Sequence, residues 1–541
     1  MERVETTRGL RKGGRAGVRA ASLCSVAALL LSGCLVGPGY VRPPVATETR
    51  WLESSDPAIR TEPPETARWW EIFSDPILVR LVEMAYAENL TLRAAGLRVI
   101  EAQARRGIAI GTLFPQQQDA SGFYTHTVES QNTVQGQLGA PTAFDTYQAG
   151  FDAAWELDLW GKFRRGVEAS DADLLAAVAN YDDVLVSLVS EVAATYLSIR
   201  TLDERLAVAR DNVRVQEDSL GIARVRYEAG GTSELDVQQA ATLLNETEAT
   251  IPDLERTRSE AIHSLCVLLG MPPQELTQVL GGPGVLPEVP VSVAVGVPAD
   301  LLRRRPDVRS AEFAAEAQSA RIGVATAQLL PAFQLTGTVG LSAEQAAQFF
   351  EGRSFEAVAG PSFNWPILNY GRLSNNVRLQ DATFQELATT YENIVLLAQQ
   401  EVEDALVGYL RGTERVQRLS EAVAAAHRAV DLSIIQYREG ATDYTAVLNS
   451  QQSKLRVDDE LVNERGVVAL SVVALYKALG GGWQLREGQD FVPAETREQM
   501  EDRTRWGGLL TTQGQTQDVN QAESDLQKRS WWQWRWWWPK W

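Results

Sequence analysis

Two stretches of the chain carry apolar residues at steps of three and four, the spacing that places side chains on one face of an α-helix. In the first stretch these positions are Leu174, Val178, Tyr181, Leu185, Leu188, Val192, Tyr196, Ile199, Leu202 and Leu206. In the second they are Phe384, Leu387, Tyr391, Ile394, Ala398, Val402, Ala405 and Tyr409. No proline occurs between Pro141 and Pro252, so one unbroken helix of roughly 95 Å is predicted from about residue 162 to residue 227. Its narrow apolar stripe requires partner helices along its whole length.

Shorter stretches alternate strictly between apolar and polar residues, which is typical of β-strands with one apolar and one polar face. One of them runs from residue 147 to 159 and carries Asp152, Glu156 and Asp158 on its polar side. Strands of about ten residues are long enough to cross a bilayer when tilted. The chain has room for about four such strands, too few to close a membrane barrel, so several chains are expected to share one barrel. A soluble sheet is the alternative.

The whole pattern occurs twice. Residues 155–270 align without a gap on residues 365–480 when they are shifted by 210 positions, so that Trp155 meets Trp365 and Tyr227 meets Tyr437. A second register, shifted by 216 positions, aligns parts of the region that precedes each long helix. Duplication predicts a pseudo-symmetric molecule. We therefore expect the function to reside in the shape of the whole molecule and not in one local pocket.

Each predicted long helix ends at a matching turn. The residues of these turns are Gly230, Gly231 and Thr232 in the first copy and Gly440, Ala441 and Thr442 in the second. A glycine directly after the last helical turn can adopt the left-handed conformation that ends a helix, and Ser233 with Asp236 has the spacing of a capping box for the next helix. Each copy is thus predicted to form a helical hairpin whose return helix ends at Gly270 or Gly480. A plain coiled coil would explain the helices but not the strands.

Composition excludes several classes of function. The chain has 541 residues with 70 acidic and 51 basic side chains, a formal charge of −19, which argues against a nucleic-acid partner. Its three cysteines and three histidines lie far apart, so no metal site, cofactor or catalytic residue is predicted. No run of 18 apolar residues occurs after the N-terminal region, so no transmembrane helix is predicted there.

The N-terminal region has the pattern of an export signal. A basic region precedes the short apolar run Ala20–Leu31, which is typical of a signal peptide and not of a membrane anchor. The ending Leu31-Ser32-Gly33-Cys34 resembles a bacterial lipobox, which implies cleavage before Cys34 and attachment of lipid to its thiol. By analogy with sorted lipoproteins, Leu35 after this cysteine fits the outer membrane.

Several motifs occur in a fixed order along the chain. They are Cys34-Leu35-Val36-Gly37-Pro38-Gly39-Tyr40-Val41-Arg42-Pro43, Trp69-Trp70, Phe73-Ser74-Asp75-Pro76, Trp155-Glu156-Leu157-Asp158-Leu159-Trp160-Gly161-Lys162, Arg304-Arg305-Pro306-Asp307-Val308-Arg309 and Tyr476-Lys477-Ala478-Leu479-Gly480-Gly481-Gly482-Trp483. From Cys34 to Trp483 the chain resembles the outer-membrane factors of Gram-negative efflux systems, the TolC-like superfamily, in its NodT-type lipoprotein branch.

The resemblance implies a mainly α-helical protein with a membrane β-barrel. It implies a homotrimer with a twelve-stranded barrel, four strands per subunit, continuous with a periplasmic α-barrel of long helical hairpins. Such a channel is anchored in the outer membrane through acylated Cys34. It passively conducts small molecules, such as drugs and toxic compounds, from a periplasmic adaptor and an inner-membrane pump of the RND type to the exterior. It has no enzymatic activity.

Two alternatives stay open. A type I protein secretion system uses an exit duct of the same kind, and the sequence does not separate the two uses. A lipid-anchored coiled-coil scaffold without a pore is the second alternative, and it predicts neither a heat-modifiable trimer nor ion conductance.

The resemblance also implies roles for the hairpin tips, which contact the adaptor and narrow the pore in related proteins. Some relatives carry acidic rings on the return helix just after the second tip, where this chain has Ala446 and Asn449. Asp236 and Asp443 are nearby acids that could replace them in a pore constriction. Ordinary helix capping explains both acids at least as well.

We predict the following organisation. Residues 1–33 form a lipoprotein signal peptide, 34–68 a lipidated extended segment, 69–275 the first repeat, 276–298 a linker, 299–482 the second repeat and 483–541 a polar tail. Strands are expected at about 115–160 and 331–370, with helical hairpins at about 162–270 and 372–480. The tail is expected to be disordered, and its end, from Trp531 to Trp541, combines Trp with Arg and Lys, a composition that favours membrane interfaces.

Overall fold

The computed structural model describes residues 35–132, 134–139, 141–300 and 304–532. The predicted signal peptide 1–33 and the lipidation site Cys34 lie outside the described residues, as does the segment 533–541.

Long helices dominate the structure. The helices are α1 (Pro76–Glu88), α2 (Leu90–Gly111), α3 (Lys162–Glu228), α4 (Glu234–Leu268), α5 (Pro306–Ala327), α6 (Arg372–Arg438), α7 (Tyr444–Ala478), α8 (Ala494–Arg503) and α9 (Thr512–Trp532). Single-turn helices lie at Val134–Gln137 and Thr277–Leu280, and 3₁₀ turns at Trp69–Phe73, Pro298–Asp300, Ala346–Gln348, Gly352–Ser354 and Trp483–Arg486. The strands are β1 (Ile59–Arg60), β2 (Gln117–Val128), β3 (Ala143–Leu157), β4 (Val293–Ala294), β5 (Ala332–Ala343) and β6 (Phe355–Asn364).

The duplication is visible in the lengths of the hairpin helices. Helices α3 and α6 each contain 67 residues, and the return helices α4 and α7 each contain 35. Helix α3 starts at Lys162 and ends one residue after Tyr227, as the spacing of apolar residues predicts. One difference between the copies is Pro252, which lies inside α4 and has no counterpart in α7.

The main core lies where α1, α2 and α5 pack against the middle of the long helices. Its largest fully buried side chains include Trp69, Trp70, Tyr196, Tyr391 and Tyr409. The ring of Trp69 stacks on Tyr476 with 5.5 Å between the ring centroids. The motif Trp69-Trp70 thus joins the start of the first repeat to the last turn of the second.

One helix passes a simple test for membrane-spanning segments. Among the described residues, only α3 contains a stretch long and apolar enough to cross a membrane by length and composition alone. Two thirds of that stretch, 67 %, is buried inside the protein, which is typical of a core helix. Packing against neighbouring helices therefore accounts for its apolar character.

Four strands form one antiparallel sheet in the order β2-β3-β5-β6. Strand β3 pairs with β5 across the two copies, with Asp152 opposite Thr338 and Phe151 opposite Val339. Strands β2 and β6 are paired on one side only within the described residues. A separate two-stranded parallel sheet joins β1 to β4 and ties the N-terminal segment to the linker between the repeats.

The tail differs from the expected disorder over its described part. Residues 483–532 contain α8 and α9 and bury Phe491, Val492, Met500 and Leu510 against the core. Apart from the adjacent Phe491 and Val492, these apolar residues are widely spaced within a polar stretch, so no helical face is evident in the sequence. The segment is ordered because it docks on a core that the two repeats already form.

Candidate pore wall and hairpin tips

The chain that directly follows Cys34 is fixed at the junction between β3 and α3. The backbone N–H of Val36 donates to the carbonyl of Trp160 at 3.2 Å, and the Arg165 guanidinium donates to the Val36 carbonyl at 3.2 Å. Gly37 crosses directly over Gly323 of α5, where an added Cβ would lie 2.4 Å from the Gly323 Cα. These contacts place the residue after the predicted acylation site beside the end of the sheet.

Aromatic side chains mark this same end of the sheet. The indole N–H of Trp155 donates to the carbonyl of Leu113 at 3.3 Å, and that of Trp365 donates to Leu329 at 3.0 Å. Half of Trp365 is exposed, and Tyr370 is 99 % exposed. Tryptophan and tyrosine at one end of a strand are typical of a membrane–water interface.

The two faces of the sheet have opposite chemistry. On the polar face, the carboxylate of Asp152 accepts hydrogen bonds from Thr338 at 2.8 Å and from Ser121 at 3.3 Å, and Gln148 donates to Glu356 at 2.9 Å. On the other face, apolar side chains stand exposed to the surroundings. These are Phe151 at 67 %, Leu335 at 47 %, Val339 at 43 % and Phe363 at 68 %. The polar face of the sheet is therefore suited to contact with water and the apolar face to contact with lipid.

The remaining acids of the predicted polar run are neutralised locally. Glu156 accepts from the Lys162 ammonium at 2.9 Å. Asp158 accepts the backbone N–H of Phe163 at 3.0 Å and pairs with Arg164 at 3.0 Å. Asp158 therefore lies at the start of α3 and stabilises its first turn. Asp152, in contrast, lies within β3 on the polar face of the sheet.

The hairpin turns are built in the same way in both copies. Gly230 adopts a φ of 71° and Gly440 a φ of 76°, a conformation that glycine reaches without steric cost. The backbone N–H of Gly231 donates to the carbonyl of Arg226 at 2.8 Å, and that of Ala441 donates to the carbonyl of Gln436 at 2.8 Å. Both are the six-to-one hydrogen bonds that end a helix before a turn. Thr232 and Thr442 follow in the turns, and the role of these tips stays a prediction.

A polar network joins the two tips. The Arg226 guanidinium lies 4.5 Å from the ring centroid of Tyr437 and donates to the Gly231 carbonyl at 3.2 Å. The phenol of Tyr437 donates to the Asp236 carboxylate at 3.3 Å, and the Thr232 hydroxyl also donates to Asp236. The first tip thus contacts Tyr437 of the second hairpin through the Arg226 cation and the Asp236 carboxylate.

A small apolar cluster supports this network. Tyr437 and Tyr444 are both at least 98 % buried and meet edge to face at 5.3 Å, next to Leu220, Ala240 and Val447. Burial raises the pKa of the Tyr437 hydroxyl above its ordinary value. The phenol therefore keeps its proton at neutral pH and remains a donor to the neighbouring carboxylate.

The structure separates the four residues that were candidates for a constriction. Asp236 lies in the network between the tips, whereas Asp443 is exposed and caps α7 by accepting the N–H of Ala446 at 3.4 Å. Ala446 is half-buried, and Asn449 is exposed one turn further along α7. Their part in a constriction stays a prediction.

Sequence reasoning missed Arg226 and Tyr437. The available signal was a difference between the copies, because Arg226 aligns with Gln436 while the tyrosines at 227 and 437 are kept. Among the described residues, no group of three or more His, Cys, Asp or Glu side chains could hold a metal ion. The residues of this region form the two faces of the sheet and the contacts between the hairpin tips.

Comparisons with known proteins identify the family. The family model described as "outer membrane efflux protein" matches residues 81–271 and 297–481. The probable efflux pump outer membrane protein SepC of Pseudomonas putida is 30% identical over 463 residues, 84% of this chain and 95% of that protein. The pyoverdine export outer membrane protein OpmQ of Pseudomonas putida is 33% identical over 423 residues, 77% of this chain and 88% of that protein. Nodulation protein T of Rhizobium leguminosarum is 29% identical over 456 residues, 84% of this chain and 96% of that protein.

Solved structures agree with this assignment. The outer-membrane channel OprN has a TM-score of 0.79 at 33% identity, with 83% of this chain and 100% of that chain covered. The open state of the MtrE outer membrane channel of Neisseria gonorrhoeae has a TM-score of 0.73 at 26% identity, with 83% of this chain and 99% of that chain covered. The chain has the TolC-like fold of long hairpins and a four-stranded sheet. It belongs to the outer membrane efflux protein family and is an outer-membrane channel component of a tripartite efflux system.

Proposed function

We propose that three copies of this chain assemble into one channel that passively carries small molecules to the exterior. The observation that supports this most directly is the sheet, whose edge strands β2 and β6 each pair on one side only within the described residues. Unpaired strand edges are not tolerated in lipid, so the sheet requires a closed barrel. Three copies of the four-stranded sheet would give a twelve-stranded barrel with the Asp152 face towards water.

Exposed apolar residues on α6 support the same assembly. Leu379, Leu396, Leu397 and Ile435 are 60, 54, 48 and 53 % exposed in the single chain. Such residues on a long helix are expected to face a neighbouring helix and not water. A ring of three hairpin pairs would cover them and enclose a periplasmic α-barrel.

Membership of this family implies an adaptor and an inner-membrane pump as partners, and we assign the pump to the RND type. TtgF of Pseudomonas putida is named as a toluene efflux pump protein and OpmQ as a pyoverdine export protein. We infer small organic molecules, such as drugs and toxic compounds, as substrates. The family and fold are those of channels, and we assign no enzymatic activity.

The tips of the hairpins are the proposed contact with the adaptor and the closing end of the pore. Helix α3 begins at Lys162, shortly after β3, and its 67 residues rise about 100 Å before the turn at residues 230–232. The Arg226–Tyr437–Asp236 network supports closure because it holds the second hairpin against the first. Ala446 and Asn449 follow the second tip and are the proposed wall of the constriction, with Asp443 as the cap of their helix.

Acylation of Cys34 is the proposed attachment to the outer membrane. Val36 and Gly37 are held at the end of the sheet beside the aromatic residues of the junction. A lipid on the thiol of residue 34 would therefore start at the level of the membrane interface. Mass spectrometry of the purified protein tests this by the mass of the N-terminal peptide.

Two measurements on one detergent-purified preparation test the channel. We expect a band on denaturing gels that changes from trimer to monomer on heating, and stepwise ion conductance in planar bilayers. A monomeric, non-conducting protein would support a scaffold without a pore and contradict the proposal. Loss of drug tolerance on deletion of the gene, restored by the intact chain, would support efflux of small molecules.

A further inference from the structure

The apolar face of the four-stranded sheet has aromatic residues at both of its ends. Trp155 lies at the end beside the helices, where its indole is bonded to Leu113. Towards the other end of β3, the ring of Tyr147 meets that of Tyr124 in β2 with 5.0 Å between the centroids. The rise from Tyr147 to Trp155 is about 26 Å along the strand, close to the ~25 Å height of the apolar band on a membrane barrel. The two tyrosines therefore mark the second border of the lipid face.

Beyond these tyrosines the same face becomes polar. Asp145, two residues before Tyr147 in β3, accepts a hydrogen bond from the Tyr124 hydroxyl at 3.0 Å, and its carboxylate lies 2.7 Å from Nδ1 of His126. The apolar face thus ends between Tyr147 and Asp145. Because the helices lie at the opposite end of the sheet, this border is the exterior one in the proposed channel.

The loop that joins β5 to β6, residues 344–354, carries two adjacent phenylalanines. Phe349 and Phe350 meet edge to face at 5.0 Å, and the Ser354 hydroxyl donates to the Gln348 carbonyl at 2.7 Å, which closes the loop around them. Phe349 is half-buried, whereas Phe350 is 86 % exposed. Aromatic side chains concentrate at the border between lipid and water, so this pair is suited to enter lipid.

A shallow groove of about 420 Å³ separates the two phenylalanines from the sheet. Its lining includes two neighbouring rows of the apolar face, given by the pairings Ala120–Phe151, Phe151–Val339, Ala149–Leu341 and Leu341–Phe355. Ser121, Gly150 and Gly340 complete the lining. The small side chains of Ala120 and Ala149 leave space between the larger ones, and the groove is open on one side. An apolar, open groove on a lipid-facing surface is suited to a flexible acyl chain.

A single positive charge stands next to this groove. Arg353 is the only Lys or Arg in residues 112–161 and 332–371, and it follows Phe350 by three positions. Its side chain is 95 % exposed and lies 3.8 Å from the carboxylate of Glu351. A guanidinium group presents paired donors that match a phosphate group. The loop therefore combines an apolar groove with a phosphate-binding side chain at one border of the membrane.

We propose that this groove binds an acyl chain of lipid A, the phosphorylated acyl lipid of the outer leaflet, and that Arg353 contacts a lipid A phosphate. The site rests on the proposed channel, which places the loop of residues 344–354 at the exterior border. One site in each chain gives three sites in the trimer.

Native mass spectrometry of the detergent-purified trimer tests the proposal. The trimer is titrated with purified lipid A and, separately, with dioleoylglycerol, which has acyl chains and no phosphate. The double variant Phe349→Ser and Phe350→Ser removes the aromatic side of the groove, and Arg353→Gln removes the charge. Phe363→Ser is the matched control, because Phe363 is 68 % exposed on the same face but lies at the end of β6 beside the helices.

We expect up to three lipid A molecules on each trimer. The double Phe variant should weaken retention of both lipids at least fivefold, Arg353→Gln should weaken lipid A about threefold or more and leave dioleoylglycerol unchanged, and Phe363→Ser should change neither. Equal retention by the double variant and by Phe363→Ser would overturn the proposal, because lipid would then coat the barrel without a site. Lipid A binding that inorganic phosphate abolishes and the Phe variants leave unchanged would also overturn it. Trimer mass and ion conductance of each sample report separately on the proposed channel.

Discussion

The phenol of Tyr437 in α6 donates a hydrogen bond of 3.3 Å to the carboxylate of Asp236 in α4. This contact joins the two copies of the repeat at the end where their hairpins turn. It is one of few polar links there, because most of the interface between the tips is the apolar cluster around Tyr444. Opening of the tips would break the link without exposing the main core.

Replacing Tyr437 by Phe removes the hydroxyl and keeps the ring under Arg226. A hydrogen bond to a charged group contributes about 1.5–3 kcal/mol, so the ratio of closed to open channels should fall roughly tenfold or more. Single-channel recordings measure this as longer open times. Tyr227→Phe is the matched control, because Tyr227 holds the aligned position in the first copy and is 45 % exposed. Equal behaviour of the two variants would contradict a closing role for the network.

A positive charge at Asn449 tests the proposed constriction. Asn449→Lys places an ammonium on an exposed position of α7 just after the second tip, and we expect lower cation conductance because like charges repel in a narrow pore. Gln239→Lys introduces the same charge at the aligned position of α4. If both variants conduct like the unmodified channel, the constriction lies elsewhere.

Asp183 predicts a pH dependence of stability. Burial, followed by the nearby carboxylate of Asp307, raises the pKa of Asp183 to about 6, and the cations of Arg305 and Lys477 only partly offset this. Because the folded-state pKa lies above the ordinary 3.8, its contribution to stability is complete below about pH 4 and is lost as the pH rises through 6. Deprotonation costs on the order of 2–3 kcal/mol per chain.

Asp183→Asn should remove this loss. The aligned residue in the second copy is Asn393, so the substitution makes the two copies alike. Thermal unfolding midpoints at pH 4.5 and pH 7.5 measure the effect, and we expect the variant to gain stability over the unmodified protein only at the higher pH. A gain of equal size at both values would show that ionisation of Asp183 is not its cause.

Gly37→Ala tests how the N-terminal segment is held. Gly37 has a φ of 96°, and a Cβ would meet the Gly323 backbone at 2.4 Å, so the segment must move away from α5. We expect a loss of about 1–3 kcal/mol in unfolding free energy and faster proteolysis near residue 40. Gly107→Ala is the control: it lies in α2 with open space around it, and it should be neutral or stabilising by about 0.5–1 kcal/mol. Similar proteolysis of both variants would mean that the crossing at Gly323 does not hold the segment.

The long elements could be predicted from the sequence because their signals are local and occur twice. The spacing of apolar residues gave the ends of α3 within about one residue, and the alternation around Phe151 placed its side chain on the apolar face. The four-strand count followed from the length of the alternating stretches. Closure of the sheet by other chains rests on the physical cost of open edges in lipid.

The contacts that join distant segments could not be predicted in the same way. Arg226 and Tyr437 are 211 positions apart, and nothing in either local pattern indicates that they meet. The docking of α9 was missed because it combines two widely spaced buried residues, Ala522 and Leu526, with the cation of Arg106 in α2, which pairs with Asp171 at 2.8 Å and Asp518 at 3.2 Å. A buried arginine cannot be told from a surface arginine in a sequence. A difference between aligned positions, such as Arg226 against Gln436, is the signal in the sequence that a residue makes a contact specific to one copy.

Pro252 makes the two return helices mechanically unequal. A proline inside a helix supplies no N–H for the carbonyl four residues earlier and displaces that carbonyl, so α4 has a built-in flexing point. The aligned position in α7 is Val462, buried and within an uninterrupted helix. In the proposed trimer, a return helix that can bend at Pro252 would thus alternate with one that is uninterrupted. The ring would then widen with threefold symmetry and not with the sixfold symmetry of six equivalent hairpins.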